Sequence, residues 1–303
     1  MRRVSFLVAV SILALAAAPQ AHAFQRAFVA SYGSDANTST NCLITGPCRS
    51  FAAAMTVVDT GGEIVALDGA GYAPVVIDRS VTITSNPGFY AGIAAATGIA
   101  VHINNASAKV TLRGLNINGI GATDGIWLQS GASLTVENCT VSNFNYGVGI
   151  SAPADVRIVD SVIRDNSFYG VAITKAATVA LASVRILGNT QVGLMVGTDT
   201  GTSLVSLTDS VVAGNAVGVK AESLGGTPRI AITRSTISNQ AIGVSSIAAS
   251  GFASVVVTNT TVTGSTTSAF YQSGAAALHS LGNNMLTHNI ADTTGTISSM
   301  APQ

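Results

Sequence analysis

Hydrophobic and polar residues alternate in short runs along most of the chain, and the runs recur at a regular interval. A glycine followed by an aliphatic residue marks one run of each interval. These pairs begin at Gly98, Gly125, Gly147, Gly170, Gly193, Gly218 and Gly243, in steps of 22 to 27 residues. Alternation with a period of two and enrichment in β-branched residues indicate strands rather than helices. The pattern therefore predicts a repeated unit that is built from short β-strands.

A second series with the same interval predicts a tight bend in every repeat. Each repeat contains a β-rich piece, such as CTVSN or SVIRDN, that closes on Asn, Asp or Gly. The closing residues are Asn143, Asp165, Gly188, Gly214, Asn239 and Gly264. These residue types tolerate a left-handed backbone. Three short strands in each repeat form one coil of a parallel β-helix, in which the backbone hydrogen bonds run between coils.

We therefore predict an all-β fold, a parallel β-helix of nine or ten coils between Glu63 and about Asn289. Stacking at the usual strand spacing gives a rod roughly 43–48 Å long. Equivalent residues of successive coils then form columns. Cys139 falls in a column of small residues, which predicts a buried position for this thiol.

Asparagines follow three of the predicted bends, at Asn166, Asn189 and Asn215. Their equivalent positions predict a stacked ladder of amides that bond to the coils above and below. A role in ligand binding is the alternative for these residues.

The segments before and after the coils differ from them in composition. The apolar, alanine-rich stretch from Arg49 to Val58 predicts a short helix, which would cover the strand edges of the first coil. We expect a leader at residues 1–23, an N-terminal cap at 24–60, the β-helix at 61–290 and a C-terminal tail at 291–303.

The N-terminus has the pattern of a signal peptide. Arg2 and Arg3 precede an apolar run from Phe6 to Ala18, and a small-x-small site ends at Ala23. A second apolar run of about 18 residues does not follow. We therefore expect a protein that is secreted or periplasmic after cleavage near Ala23, without a transmembrane segment in the mature chain.

Charge is scarce, since charged residues make up 9% of the chain. Loss of Arg2 and Arg3 with the leader leaves 12 basic and 14 acidic residues, a net charge of −2. A basic patch is not visible, so nucleic acid is not expected as a partner.

Two of the three cysteines, Cys42 and Cys48, lie six residues apart in the polar loop NCLITGPCRS. In an oxidising compartment they are expected to form a disulfide, with two free thiols as the alternative. The loop offers neither a histidine nor a third cysteine, so no metal site is expected there.

Several segments give the chain a family resemblance: the cysteine loop, FAAAMTV, GGEIVALD, VTITS, GLNINGIG and SLGNNMLTHN. Together they resemble the secreted right-handed parallel β-helix repeat proteins of bacteria, in the pectin-lyase-like superfamily. The resemblance spans about residues 26–300 and implies a right-handed coil. It implies little about activity, because most of these proteins have no assigned reaction and a fold alone does not determine function.

Enzymes of that superfamily supply a pattern that can be tested against the coils. In polygalacturonases an Asp precedes one strand, a paired Asp-Asp precedes the next and Gly-His-Gly follows, since hydrolysis needs paired carboxylates. Asp124 occupies the first of these positions in ATDGIWLQ, but Tyr146 and Tyr169 occupy the next two. Asp124 is therefore interpreted as a turn residue, with a catalytic acid as the alternative.

Pectate lyases use Ca²⁺ held by several carboxylates, and an arginine base. The densest charged region here contains three aspartates together with Arg157 and Arg164. A solvated network of charge pairs is the favoured interpretation, and a lyase-like cluster is the alternative. Asp124, Arg157 and Arg164 are the candidate catalytic residues, and no cofactor or metal is expected.

Five aromatic residues fall in three consecutive coils: Trp127, Phe144, Tyr146, Phe168 and Tyr169. Alternation turns Trp127 outward and places Tyr146 and Tyr169 in one column. Aromatic rings on an outer face suit sugar rings, although packing of a loop onto the coils is the alternative. Trp127, Tyr146 and Tyr169 are the candidate ligand-binding residues.

The function expected from these observations is non-catalytic binding of a polysaccharide or a cell-surface glycan by a monomer. The alternative is a polysaccharide lyase or glycoside hydrolase with a non-standard site. The aromatic column and the missing catalytic sets favour binding.

Overall fold

The structure, a computed structural model, describes residues 25–299. The predicted signal peptide therefore lies outside the described residues. Before the coils, strand β1 (Arg26–Val29) is followed by a 3₁₀ helix (Asp35–Thr40) and by helix α1 (Phe51–Val57). Ser50 caps α1, because its hydroxyl accepts a hydrogen bond from the N–H of Ala53. The predicted helix is thus confirmed, one to two residues shorter at each end.

Thirty-one further strands follow in chain order. The first nine are β2 (Gly62–Ala66), β3 (Ala70–Gly71), β4 (Val75–Ile77), β5 (Val81–Ser85), β6 (Ala91–Ala95), β7 (Ile99–Asn104), β8 (Lys109–Arg113), β9 (Leu115–Gly119) and β10 (Asp124–Ser130). The next eleven are β11 (Ser133–Glu137), β12 (Thr140–Ser142), β13 (Tyr146–Ile150), β14 (Asp155–Val159), β15 (Val162–Arg164), β16 (Tyr169–Ile173), β17 (Thr178–Ala182), β18 (Arg185–Leu187), β19 (Val192–Thr198), β20 (Thr202–Thr208) and β21 (Val211–Ala213). The last eleven are β22 (Val217–Leu224), β23 (Thr227–Thr233), β24 (Thr236–Ser238), β25 (Ile242–Ser250), β26 (Ser254–Thr258), β27 (Thr261–Thr263), β28 (Ser268–Gly274), β29 (Ala277–Ser280), β30 (Met285–Thr287), β31 (Thr293–Thr294) and β32 (Ile297–Ser299).

These strands form three parallel sheets that the chain visits in turn. The first sheet has twelve strands, in the order β1-β2-β5-β8-β11-β14-β17-β20-β23-β26-β29-β32. The second sheet, of ten short strands, runs β3-β6-β9-β12-β15-β18-β21-β24-β27-β30, and the third, also of ten, runs from β4 and β7 through β10 to β28 and β31. Each strand pairs with its equivalent one coil away, so the predicted parallel β-helix of nine or ten coils is confirmed.

The core consists of aliphatic columns that run along the inside of the rod. In one of these columns each side chain is at most 1% exposed; its members are Val141, Ile163, Ile186, Val212, Ile237 and Val262. A fully buried aliphatic side chain of this kind contributes about 1.5–3 kcal/mol relative to an exposed one. The hydrophobic alternation in the sequence therefore specifies both the strands and their inward faces.

Each coil turns through two left-handed residues. The six predicted bend residues, Asn143 through Gly264, have φ between 57° and 70°. A second bend, between the first and second sheets, places Asn138, Asp160, Ser183, Asp209, Arg234 and Asn259 at φ between 47° and 53°. Ser183 and Arg234 show that the stacked coils impose this conformation even on residue types that rarely adopt it.

The predicted amide ladder is present behind the first type of bend. Asn189 Oδ1 accepts hydrogen bonds from the N–H and the Nδ2 of Asn166, and Asn215 Oδ1 does the same for Asn189. Gln240 extends the ladder, because its Oε1 accepts from the N–H and the Nδ2 of Asn215. The ladder satisfies amide groups that are otherwise shielded from water.

Candidate functional site

Equivalent positions at the start of the third-sheet strands bring together three candidates of the sequence analysis. Asp124 on β10 lies in register with Tyr146 on β13, and Tyr146 lies in register with Tyr169 on β16. Neighbouring parallel strands lie about 4.8 Å apart, so these side chains are direct neighbours on the outer face. Trp127 follows on β10 and is also turned outward.

Four aromatic rings form one continuous cluster, called here the aromatic face: Trp127, Tyr146, Phe168 and Tyr169. The Tyr146 ring stacks on Phe168 with centroids 6.0 Å apart and planes inclined by 10°. It also makes edge-to-face contacts with Trp127 and Tyr169, at centroid distances of 6.0 Å and 5.4 Å. Phe168 remains 40% exposed, and the other three rings are partly exposed. The cluster therefore presents mutually braced rings to solvent.

Gly149 gives Trp127 its position. The two residues are in register on β10 and β13. A Cβ atom on Gly149 would overlap the Cε3 and Cζ3 atoms of the indole ring. The six-membered ring of Trp127 therefore lies directly over the glycine backbone, where only a residue without a side chain leaves room for it.

Polar groups border the aromatic face on two sides. His102 is in register with Trp127, and its Nε2 lies 2.7 Å from Oε1 of Gln129 in a hydrogen bond. On the other side, a groove of about 440 Å³ runs over the bends and includes Asn145 and Ser167, which are hydrogen-bonded at 2.7 Å. Hydroxyl and amide groups beside aromatic rings are the lining that a sugar ring requires.

The sequence pattern does not predict a role for Gln129, Asn145 or Ser167. The chain nevertheless contains a signal for two of them. Asn145 immediately precedes Tyr146, and Ser167 immediately precedes Phe168, so both share the bend that delivers an aromatic ring.

Asp124 is the first residue of β10, whereas the sequence pattern places it in the turn before this strand. Its carboxylate accepts a hydrogen bond from the Thr123 hydroxyl at 2.7 Å. Burial raises the pKa of this carboxyl group, and the Thr123 hydrogen bond opposes the rise. A second carboxylate does not occupy the equivalent position on β13, which is Tyr146.

The three candidate catalytic residues lie on three different sheets. Asp124 belongs to the third sheet, Arg157 to the first and Arg164 to the second. Arg157 is exposed on β14, and Arg164 forms an ion pair with the neighbouring Asp165. The structure therefore does not bring the three side chains together at one site.

Phe144 does not belong to the aromatic face, contrary to its inclusion among the five aromatics of the sequence analysis. Its side chain is 2% exposed and lies in the core. The backbone N–H of Phe144 donates to Asn166 Oδ1, so this residue ends the amide ladder. The left-handed bend at Asn143 turns the next side chain inward.

The three cysteines lie outside the aromatic face. A disulfide joins Cys42 to Cys48, whose Cα atoms are 5.0 Å apart. Cys139 is buried, as predicted, and burial raises the pKa of its thiol to about 11. Within residues 25–299, no group of three or more His, Cys, Asp or Glu side chains is arranged to hold a metal ion. The same part of the chain contains no helix that is sufficiently long and apolar to span a bilayer.

Comparisons with known proteins agree with this architecture. A family model described as "Right handed beta helix region" matches residues 97–291. Among solved structures, a crystal structure of pectate lyase Pel9A superposes with a TM-score of 0.62, at 15% identity over 92% of this chain and 79% of that chain. A rhamnogalacturonan lyase gives a TM-score of 0.45 at 9% identity, over 92% and 87% of the two chains. Among curated proteins, none matches the sequence.

Proposed function

Because the chain belongs to the right-handed β-helix family, we propose that its rod binds a polysaccharide or a cell-surface glycan through the aromatic face. In this proposal the protein is a monomer, acts outside the cytoplasm and does not cleave the glycan. The observation that carries it is the exposed cluster of Trp127, Tyr146, Phe168 and Tyr169, which is bordered by polar side chains.

The chemistry of the aromatic face favours a sugar with little negative charge. Trp127 and Tyr146 offer apolar surfaces for the C–H face of a pyranose ring, and Tyr hydroxyls offer polar edges. Asp124 is the carboxyl group beside these rings, and no lysine or arginine is in register with Asp124, Trp127 or Tyr146. A neutral or weakly acidic glycan therefore fits this face better than a densely anionic one.

Glycan retention on insoluble or immobilised polysaccharides tests the proposal. Two substitutions, Trp127→Ala and Tyr146→Ala, are each expected to weaken retention about tenfold, because each removes stacking surface worth about 1.4 kcal/mol. Tyr32→Ala is the matched control, since Tyr32 is 70% exposed and lies in the N-terminal cap. Retention that survives both face variants, or that falls equally with Tyr32→Ala, would refute the aromatic face as the binding site.

Cleavage of the glycan is the second candidate function, and Asp124 is the observation that favours it. A carboxyl group with a raised pKa beside a sugar platform is suited to donate a proton to a leaving oxygen. Mass spectrometry of incubated polysaccharides would detect shortened chains, and unsaturated ends would identify a lyase. If products form, Asp124→Asn is expected to abolish them; activity that persists in this variant would exclude Asp124 as the acid.

A further inference from the structure

The outer face of the first sheet contains a groove that is separate from the aromatic face. Its volume is about 630 Å³. One column of small side chains forms its floor: Ala180, Ser206, Ala231 and Val256, in register on β17, β20, β23 and β26. Because four successive coils present small residues, the sheet surface is lower here than at its flanks.

Two large apolar side chains rise beside this floor. Leu204 on β20 is 49% exposed, and Phe252, in the loop between β25 and β26, is 43% exposed. Exposed apolar side chains that line a common depression mark a binding surface more often than exposed side chains that are scattered singly. The groove therefore offers an apolar trough about three coils long, roughly 15 Å along the rod.

The ionisable side chains that line this groove are Arg229 and His279, and neither Asp nor Glu lines it. Arg229 is in register with Leu204, and His279 continues the floor column beyond Val256. Among residues 25–299, Arg229 has no ion pair, whereas Arg234, in the bend after the same strand, is held by Asp209 through two bonds of 2.8 Å. Arg229 is thus an available guanidinium at the edge of an apolar trough.

The same column extends in the other direction to Arg157, which is in register with Ala180. Arg157 is exposed, and no ion pair involves it within the described part of the chain. Asp155, two residues earlier on β14, is the acidic residue at this end of the groove. Arg157 therefore continues the floor column at one end, and Arg229 lies beside Ala231 on the same strand.

We propose that this groove binds an amphipathic carboxylate, whose apolar body lies along the floor column and whose carboxylate pairs with Arg229. A guanidinium matches a carboxylate through two parallel hydrogen bonds. Apolar walls with a small number of polar groups are the usual lining of a small-molecule site. Neither Trp nor Tyr lines the groove, so it lacks the platform that the aromatic face offers to sugars.

Isothermal titration of the protein with decanoate, and with 1-decanol as its uncharged counterpart, tests this proposal. Arg229→Gln is expected to weaken decanoate binding about tenfold and to leave the binding of 1-decanol nearly unchanged. Ala231→Leu fills the floor and is expected to weaken both. The matched control is Arg185→Gln on the second sheet, an exposed arginine that is expected to affect neither ligand.

Three results would overturn the proposal. Decanoate could fail to bind, it could bind equally well to Arg229→Gln, or the Arg185→Gln control could lose the same affinity. Displacement of decanoate by polygalacturonate would instead assign the groove to an acidic polysaccharide. Trp127→Ala leaves the groove intact, so decanoate binding that persists in this variant separates the test from that of the proposed glycan-binding function.

Discussion

At the scale of single residues, the fold depends on polar side chains that are buried between coils. Two columns accept hydrogen bonds from backbone N–H groups of the preceding coil. One is the amide ladder from Asn166 to Gln240, and the other is a column of hydroxyl groups from Ser161, Ser210, Ser235 and Thr260. Each contact is local to two coils. Stability is therefore distributed along the rod in nearest-neighbour steps.

Asn189→Ala is expected to lower the free energy of unfolding by about 2–4 kcal/mol, because it leaves the N–H and the Nδ2 of buried Asn166 without their acceptor. Urea denaturation followed by circular dichroism measures the change. Asn104→Ala is the control, since this exposed asparagine ends β7 and the effect there is expected within about 0.5 kcal/mol. Equal effects of the two substitutions would mean that the ladder adds no stability.

Cys139 is expected to be inert in the folded protein. Burial raises the pKa of its thiol from an ordinary value of 9.0 to about 11, so the reactive thiolate is scarce at pH 8. Labelling with Ellman's reagent at pH 8 is expected to be at least about a hundredfold slower than in urea. One thiol per chain is expected in urea, because Cys42 and Cys48 are joined. Fast labelling of the native protein would contradict the burial of Cys139.

The raised pKa of Cys139 also predicts how the free energy of unfolding changes with pH. The folded state holds the thiol proton more tightly than the unfolded chain does, since its pKa is the higher of the two. This contribution is fully present below pH 9 and is lost as the pH rises towards 11. A Cys139→Ser variant, compared at pH 7.5 and 10, is expected to show a smaller loss of stability on alkalinisation than the parent protein.

At the scale of strands and bends, much of the structure follows from the sequence pattern. Period-two alternation identifies the inward columns, and Asn, Asp and Gly identify the bends near Asn143 and its equivalents. The second set of bends ends alternating runs in the sequence, but it is not predicted to be left-handed, because Ser183 and Arg234 interrupt its Asn and Asp residues and carry no local preference for φ near 50°. Phe144 is misassigned for a related reason: alternation holds within a strand but not across a left-handed residue.

Gly149 on β13 affects the proposed function because the indole of Trp127 lies over it. Gly149→Ala is expected to displace the indole of Trp127 and to weaken glycan retention nearly as much as Trp127→Ala, with a small effect on unfolding, because a side chain rather than backbone obstructs the new methyl group. Gly71→Ala is the control, since no atom lies within 4 Å of the added Cβ there. Unchanged retention in Gly149→Ala would show that the flat placement of Trp127 is not required.

At the scale of the whole molecule, the rod carries different chemistry on different faces. The third sheet presents aromatic rings with polar borders, and the first sheet presents an apolar groove with Arg229 at its edge. The aromatic face is predictable from the sequence, since its residues fall in three consecutive coils and Tyr146 and Tyr169 occupy equivalent positions. The groove is not, because small residues such as Ala180 and Ala231 and the isolated loop residue Phe252 acquire meaning only when the coils are stacked.

The most direct test of glycan binding uses the tryptophan at position 127, which is the single one in the chain. Its fluorescence is followed during titration with the polysaccharide that the protein retains. Binding at the aromatic face predicts a saturable change in emission and protection from acrylamide quenching, with the apparent affinity weakened about tenfold in Tyr146→Ala. Retention of the polysaccharide with no change in the emission or quenching of Trp127 would contradict binding at the aromatic face.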